Sequence, residues 1–538
     1  MLRQSIKLLF FLFCVWLLTT GVTAWQGPPR PERTFTIGLA SQDLSFDPLH
    51  AHTSTEIQIL TALYEGLVTY HPLTLETLPG MAYRWDISDD KTVYTFHIRE
   101  NARYSNGDPV TAAQFRDTFL RILDPKEKAE YSVYLDVIKG ARAFREGRIT
   151  SPQTVGLRVL SDKILEITLE KPASHFLKVL CLLNFAPVHP SYREPGKLRE
   201  SDGRISNGPF VISEQTKETI VFSPNQFYWD RDQLKIDSIQ LRLFADSKVL
   251  AQHVNSGDVD WTSLQSADYG TLDNRAREHI LPNPMFATSF LFFVCREKPF
   301  DDPRVRQGLA QLIPWNELRS REYSLYPTSR LVPEIPKYPV VKGIGKQDVE
   351  EGLKLLEEAG YPKGKGLPPI TILVSRGNTL YADMLAKAWE DKLEVKVVLK
   401  EVDGEEFFSA VGQHDYTVSS YTWIGDFADP LAFLQMWTSD SNLNEALYRN
   451  PTYDSLIDQS LSVIGLDRYQ KLAEAEELLL QEGTILPIDH IAAFNVIDID
   501  LIGGWFPNPL DIHPLKYIEI REGKLNKWIV KADNIGRN

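Results

Sequence analysis

Cysteine is scarce: the chain has three in 538 residues, and Cys14 falls in an apolar N-terminal run. Only Cys181 and Cys295 lie beyond it, too few for a disulfide framework. A single bridge and two buried thiols both fit that pair. Beyond Leu8–Leu18 no segment approaches the roughly 20 apolar residues that a membrane helix needs. Positive charge is also in deficit, with 58 Lys and Arg against 72 Asp and Glu and a net charge of −14. A cationic funnel for nucleic acid or anionic lipid is therefore missing, and neither is expected as a partner. HExxH, GxSxG, a complete Walker loop and CxxC are all absent. Nothing argues for an enzyme, and no catalytic residue, cofactor or metal is expected. Low-complexity tracts and internal repeats are missing too.

What is present begins with an export signal. Arg3 and Lys7 form a basic start, Leu8–Leu18 is unbroken apolar sequence, and Val22 and Ala24 supply the small residues of a cleavage site. The pattern predicts a cleaved leader over residues 1–24, with the cut between Ala24 and Trp25. A membrane tether is the alternative. Cys14 follows Phe13 and lacks the small neighbour of a lipoprotein site.

Strands and helices then interleave. Thr34–Leu39 is a short apolar strand, and Thr53 opens a helix carrying Ile57, Leu60, Tyr64 and Leu67 on one face. Tyr94, Phe96 and Ile98 alternate along a half-buried strand. Thr111 with Gln114, and Asp348 with Glu351, read as capping boxes. The first of these helices would bury Phe115, Phe119 and Ile122. Further on come a strand Ile370–Ser375, a helix Leu380–Leu393, a strand Val395–Val402, a short helix Glu405–Val411 and a strand Tyr416–Tyr421. That β-α-β-α-β order predicts an α/β fold with a parallel sheet. Ligands bind such sheets at the carboxyl edge, and the loop Trp423–Pro430 leaves from that edge.

The loop holds two acids with different prospects. Asp426, flanked by Trp423 and Phe427, suits a cation with an organic body such as the α-ammonium of a peptide. Asp429 precedes Pro430 and the apolar Leu431 and Leu434, so it reads as a helix N-cap with proline at the first helical position. Tyr421 stands beside the loop. His50 and His52 lack a thiolate or third ligand and do not make a metal site. Arg376 reads as a surface residue that also has the chemistry to meet a ligand carboxylate.

Several short motifs recur in one order: Phe46-Asp47-Pro48, Leu63-Tyr64-Glu65-Gly66-Leu67, Ser105 to Ala112, Ser206-Asn207-Gly208-Pro209-Phe210, Asn225 to Trp229, Ser256 to Asp260 and Glu358-Ala359-Gly360-Tyr361. In these the chain resembles the family 5 extracellular solute-binding proteins, in particular the periplasmic peptide receptors of ABC importers. The resemblance implies a two-lobed clamp, mixed sheets with a hinge, and an extra domain inserted in the first lobe. The implied division is 25–64, 201–286 and 493–538 for the first lobe, 65–200 for the insert and 287–492 for the second lobe. It further implies a monomeric periplasmic receptor that hands a peptide to a membrane permease. Asp426 falls on the acid that pairs the α-ammonium, Trp423 on the loop tryptophan, and Tyr131 on a pocket tyrosine of the insert. His52 stands in place of a glutamate, Ser420 in place of an arginine, and the acidic Asp403 to Glu406 in place of a tryptophan. Two competing functions stay open: a same-fold receptor for another solute (dipeptide, murein peptide, nickel chelate or sugar), and a periplasmic enzyme or regulator reusing the clamp.

Overall fold

The alternating and capped segments fold largely where their patterns place them. A computed structural model describes residues 33–40, 44–192, 205–320, 326–377, 379–463 and 465–521. The expected leader lies outside them. Thr53 caps the helix Ser54–Leu63 through a reciprocal box with Glu56, so Tyr64 and Leu67 are buried just past its end. Thr111 and Gln114 form the same box on the helix Ala112–Leu123, whose Phe115, Phe119 and Ile122 are buried. Each of those phenylalanines contributes about 1.5–3 kcal/mol by leaving water. Asp348 accepts the Glu351 N–H at the start of Val349–Glu358.

One eleven-stranded sheet runs through the molecule. At one end Ile370–Ser375 pairs in parallel with both Val397–Val402 and Val418–Ile424, the crossover arrangement expected. At the other end Thr34–Leu39 lies between Ser238–Leu243 and Trp261–Ser263. Two long antiparallel strands, Ile280–Phe293 and Ile485–Ile497, join the ends. Their register breaks between Pro284 and Thr288, which leaves the two halves of the sheet linked by an irregular stretch. A separate four-stranded antiparallel sheet contains Ala82–Ile87, Val93–Ile98, Ile164–Thr168 and Leu157–Ser161, with the helix Ala112–Leu123 against it.

The cores follow this division. Phe35, Leu60, Phe210, Leu241 and Trp261 share a core with Trp505, Leu515 and Ile518, so the chain returns to its starting lobe late in the sequence. Leu291, Trp315, Leu356, Ile372 and Trp389 form the core of the other lobe. The largest cluster begins on the four-stranded sheet and continues through Tyr131 and Tyr134 to Phe427, Phe433 and Trp437. The elements around the four-stranded sheet therefore pack directly on those that carry Phe427, Phe433 and Trp437. The structure is an α/β, two-lobed solute-binding fold.

Element ends differ by a few residues from the sequence reading. The helix Leu380–Glu390 stops before Leu393, and Gly404–Val411 divides into a 3-10 turn and a short helix. Val418–Ile424 starts and ends later than expected, because Trp423 and Ile424 pair with Thr288 and Ala287 across the sheet. Cys181 and Cys295 are free thiols. Cys181 donates to the Thr69 carbonyl at 3.2 Å, and burial pushes its thiol up to about 12.

Candidate binding site

The chain leaves the sheet at Gly425, whose N–H donates to the Phe286 carbonyl at 2.7 Å. A Cβ there would lie 2.6 Å from Phe286 and 2.8 Å from Phe433, so only glycine lets the strand turn this close to both rings. Asp426 follows at once and is thereby held at the sheet edge.

Asp426 is received by the inserted segment. Glu130–Leu135 is a 3-10 helix, in which residues three apart eclipse. Tyr131 and Tyr134 accordingly stack, with ring centroids 5.6 Å apart and planes at 14°. The Tyr134 hydroxyl donates to Asp426 Oδ2 at 2.6 Å, and Tyr131, stacked on Tyr134, stands beside the same carboxylate. Among the described residues no cation forms an ion pair with Asp426. Burial raises its pKa to about 6, against the opposing pull of the two hydroxyls. A neutral hydroxyl donor stabilises an ionised carboxylate only in part.

Around this acid is a cavity of about 780 Å³, walled by His52, Tyr131, Tyr421, Trp423 and Asp426. That size lies within the ~300–1,000 Å³ of pockets that enclose organic ligands. A neighbouring cavity of about 510 Å³ shares Ser54, Thr422 and Ile424 with it, and the two form one cleft between the lobes. The Trp423 indole N–H donates to the Ala432 carbonyl at 2.9 Å, which fixes the ring as a wall. Tyr421 extends the wall towards Phe408, with centroids 5.9 Å apart. His52 faces it from the first lobe, its Nδ1 2.9 Å from the His50 carbonyl.

Two sequence expectations need correction. Phe427 does not wall the large cavity: it is buried, with its ring against Tyr134 at 5.5 Å and His175 at 6.0 Å, and buttresses the tyrosine pair. Asp429 sits one residue before the N-cap, which is Pro430 on the helix Leu431–Leu434, and does more than serve that helix end. Its Oδ1 accepts the Leu431 N–H at 3.1 Å, and both oxygens take the Arg468 guanidinium at 2.7 and 2.9 Å in a buried pair. Arg376 takes the surface role expected of it: it lies outside the cleft walls and pairs with Asp403 at 3.2 Å. The two histidines separate as well: His50 lies 3.3 Å from both Glu127 and Glu130, while His52 faces the cleft. No group of three candidate metal ligands occurs among the described residues.

Tyr134, Phe408 and Glu445 were not found by sequence reasoning. The i, i+3 spacing of Tyr131 and Tyr134 was a usable signal once a 3-10 turn is considered. No local pattern marks Glu445, which only the tertiary fold brings to the cleft.

The raised pKa has a testable sign. In the unfolded chain Asp426 titrates near the ordinary ~4. The folded, unliganded protein then binds more protons between about pH 4 and pH 6, so this residue makes stability fall as pH rises through that window. Native minus Asp426→Asn stability should drop by up to about 3 kcal/mol from pH 4 to pH 7. Denaturant titrations of both proteins across that range measure it, and a flat difference would contradict the assignment.

A family model for bacterial extracellular solute-binding proteins, family 5 Middle, matches residues 76–445. The dipeptide-binding protein DppE of Bacillus subtilis is 27% identical over 91% of this chain and 91% of its own length. The periplasmic oligopeptide-binding protein OppA of Salmonella typhimurium is 27% identical over 93% of each chain. A crystal structure of a periplasmic oligopeptide-binding protein from Borrelia burgdorferi superposes with a TM-score of 0.80 at 26% identity, covering 91% of this chain and 100% of that one. The matched region spans most of the sequence and includes the tyrosine pair and Asp426: the chain belongs to the family 5 bacterial extracellular solute-binding proteins.

Proposed function

We propose that this protein is an exported receptor that captures peptides between its lobes and delivers them to a membrane ABC importer. The observation that carries this reading is Asp426, a carboxylate in the interlobe cleft that accepts from the Tyr134 hydroxyl and has no cationic partner among the described residues. A peptide α-ammonium supplies the missing charge, and Trp423 and Tyr421 offer flat apolar walls to the chain behind it. The names of the relatives, a dipeptide-binding and an oligopeptide-binding protein, support the same ligand class. The chain is read as a binding protein rather than an enzyme, working as a periplasmic monomer once residues 1–24 are removed.

Closure is the second part of the reading. The register break between Pro284 and Thr288 is suited to a hinge, and it supports a first lobe of 25–64, 201–286 and 493–538, an insert of 65–200 and a second lobe of 287–492. Cross-lobe contacts would then report the loaded state to the importer. Besides Tyr134 to Asp426, Lys178 Nζ donates to the Ala428 carbonyl at 2.8 Å and Gln435 Nε2 to the Val133 carbonyl at 3.1 Å.

Native mass spectrometry of gently purified protein tests both aspects. The expected spectrum shows a chain beginning at Trp25, with extra mass that collisional activation releases as peptides. A chain retaining Met1 counts against the cleaved leader. Co-purified mass that is not peptide, together with no uptake of added tri- to pentapeptides, sinks the peptide reading.

A further inference from the structure

Among the acids that wall the cleft, Glu445 is remote in sequence from Asp426 and differently surrounded. Glu445 walls the large cavity together with Phe408, Tyr421 and Leu443. Its Oε2 is shut off from solvent beside His414 Nε2, 2.8 Å away and a salt-bridge partner when the imidazole is protonated, while the Glu445 side chain as a whole stays 27% exposed. Burial pushes the Glu445 carboxyl upward against the opposing pull of His414. Phe408 is 52% exposed, although it sits in a cleft whose other aromatic walls are at least half-buried. It stands edge-on to Tyr421 at 5.9 Å and meets the edge of His52 from the opposite lobe at 6.1 Å. An acid beside an exposed aromatic face suits a cation on a hydrocarbon stem.

The basic side chains of the same cavity do not offset this bias. They are His52, Lys128 and Arg145, and Arg145 is held by both oxygens of Asp136 at 2.8 and 2.6 Å. Against Lys128 and His52 stand the acids Asp124, Glu130, Asp426 and Glu445 of the same walls, so an anionic ligand side chain would meet an excess of negative charge.

We propose that Glu445, Phe408 and Tyr421 form a side-chain subsite that selects peptides containing lysine or arginine. This rests on the peptide reading above and adds to it a preference among peptides. The ligand's α-ammonium occupies Asp426, while its basic side chain lies along Phe408 and Tyr421 and pairs with Glu445. Closure brings His52 against the same rings and encloses the stem.

Calorimetry with trialanine derivatives carrying lysine or norleucine at each position in turn separates the possibilities, because norleucine keeps the stem and drops the charge. At one position lysine should bind the native protein at least about tenfold more tightly than norleucine. Glu445→Gln should bring that ratio to about one. Phe408→Ala, at an exposed position that threatens folding least, should lower the ratio severalfold. Glu357→Gln removes the same charge from an exposed helix position and should leave the ratio as it was. Ratios near one at every position of the native protein, with the peptides binding, overturn the subsite and leave the peptide receptor standing. A preference that survives Glu445→Gln overturns it equally. If none of the peptides binds, the peptide reading falls and takes the subsite with it.

Discussion

Replacing Asp426 by asparagine should weaken peptide binding by tens to thousands of fold. The substitution keeps the side chain's shape and a hydrogen-bond acceptor for Tyr134, but removes the charge. A peptide α-ammonium entering the closed cleft would then be desolvated without a counter-ion, and breaking such a pair costs about 2–5 kcal/mol. At roughly 1.4 kcal/mol per tenfold change, that gives the stated range. N-acetylation of the peptide removes the other half of the pair and should harm the native protein by a similar factor. Acetylation should affect the Asp426→Asn protein far less, because the charge it would have lost contact with is already gone. Four titrations, native and variant against free and acetylated peptide, form a double-mutant cycle. Additive effects would show that Asp426 and the ammonium do not meet, and the site assignment would fail.

The position of Asp426 at the end of a strand was legible in the sequence because its determinants are local. A buried strand, a glycine and an acid in direct succession place Asp426 at a sheet edge, whatever the rest of the chain does. Capping boxes at Thr53 and Thr111 are equally local, and both helices begin where those residues require. The strand end near Trp423 was less legible, since its length is set by pairing with Ala287 and Thr288, far away in sequence. Phe427 shows the same limit from the other side: its neighbours Tyr134 and His175 belong to the inserted segment, so its sequence could not say whether it faced ligand or core. The free thiols follow this logic too. Cys181 packs with the inserted segment, while Cys295 lies 3.4 Å from the Phe293 carbonyl beside the other lobe's core. Nothing in their spacing reveals that separation.

Asp429 is the case where local reading captured half of a residue's role, and the missing half carries the larger energy. As a cap alone it would tolerate asparagine, which caps helices about as well as aspartate. Its carboxylate, however, lies in a buried bidentate pair with Arg468 on the helix Gly465–Gln481. Burial pushes this carboxyl up, but the adjacent Arg468 charge outweighs it and holds the pKa below the usual carboxylate range. The pair therefore stabilises the fold above the unfolded carboxyl pKa and is lost as pH falls through the folded one. Asp429→Asn would leave the Arg468 guanidinium buried and unmatched, and should destabilise the protein by about 3–5 kcal/mol. Arg468→Met should cost a similar amount by stranding Asp429. The double variant removes both charges, so neither is left buried alone, and it should recover most of the loss. Guanidinium unfolding of the four proteins, followed by tryptophan fluorescence, gives the coupling directly. If Asp429→Asn proves as stable as the native protein, the pair contributes nothing beyond the cap. If the single losses simply add in the double variant, the two residues act independently and the ion pair does not hold the Asp426 loop in place.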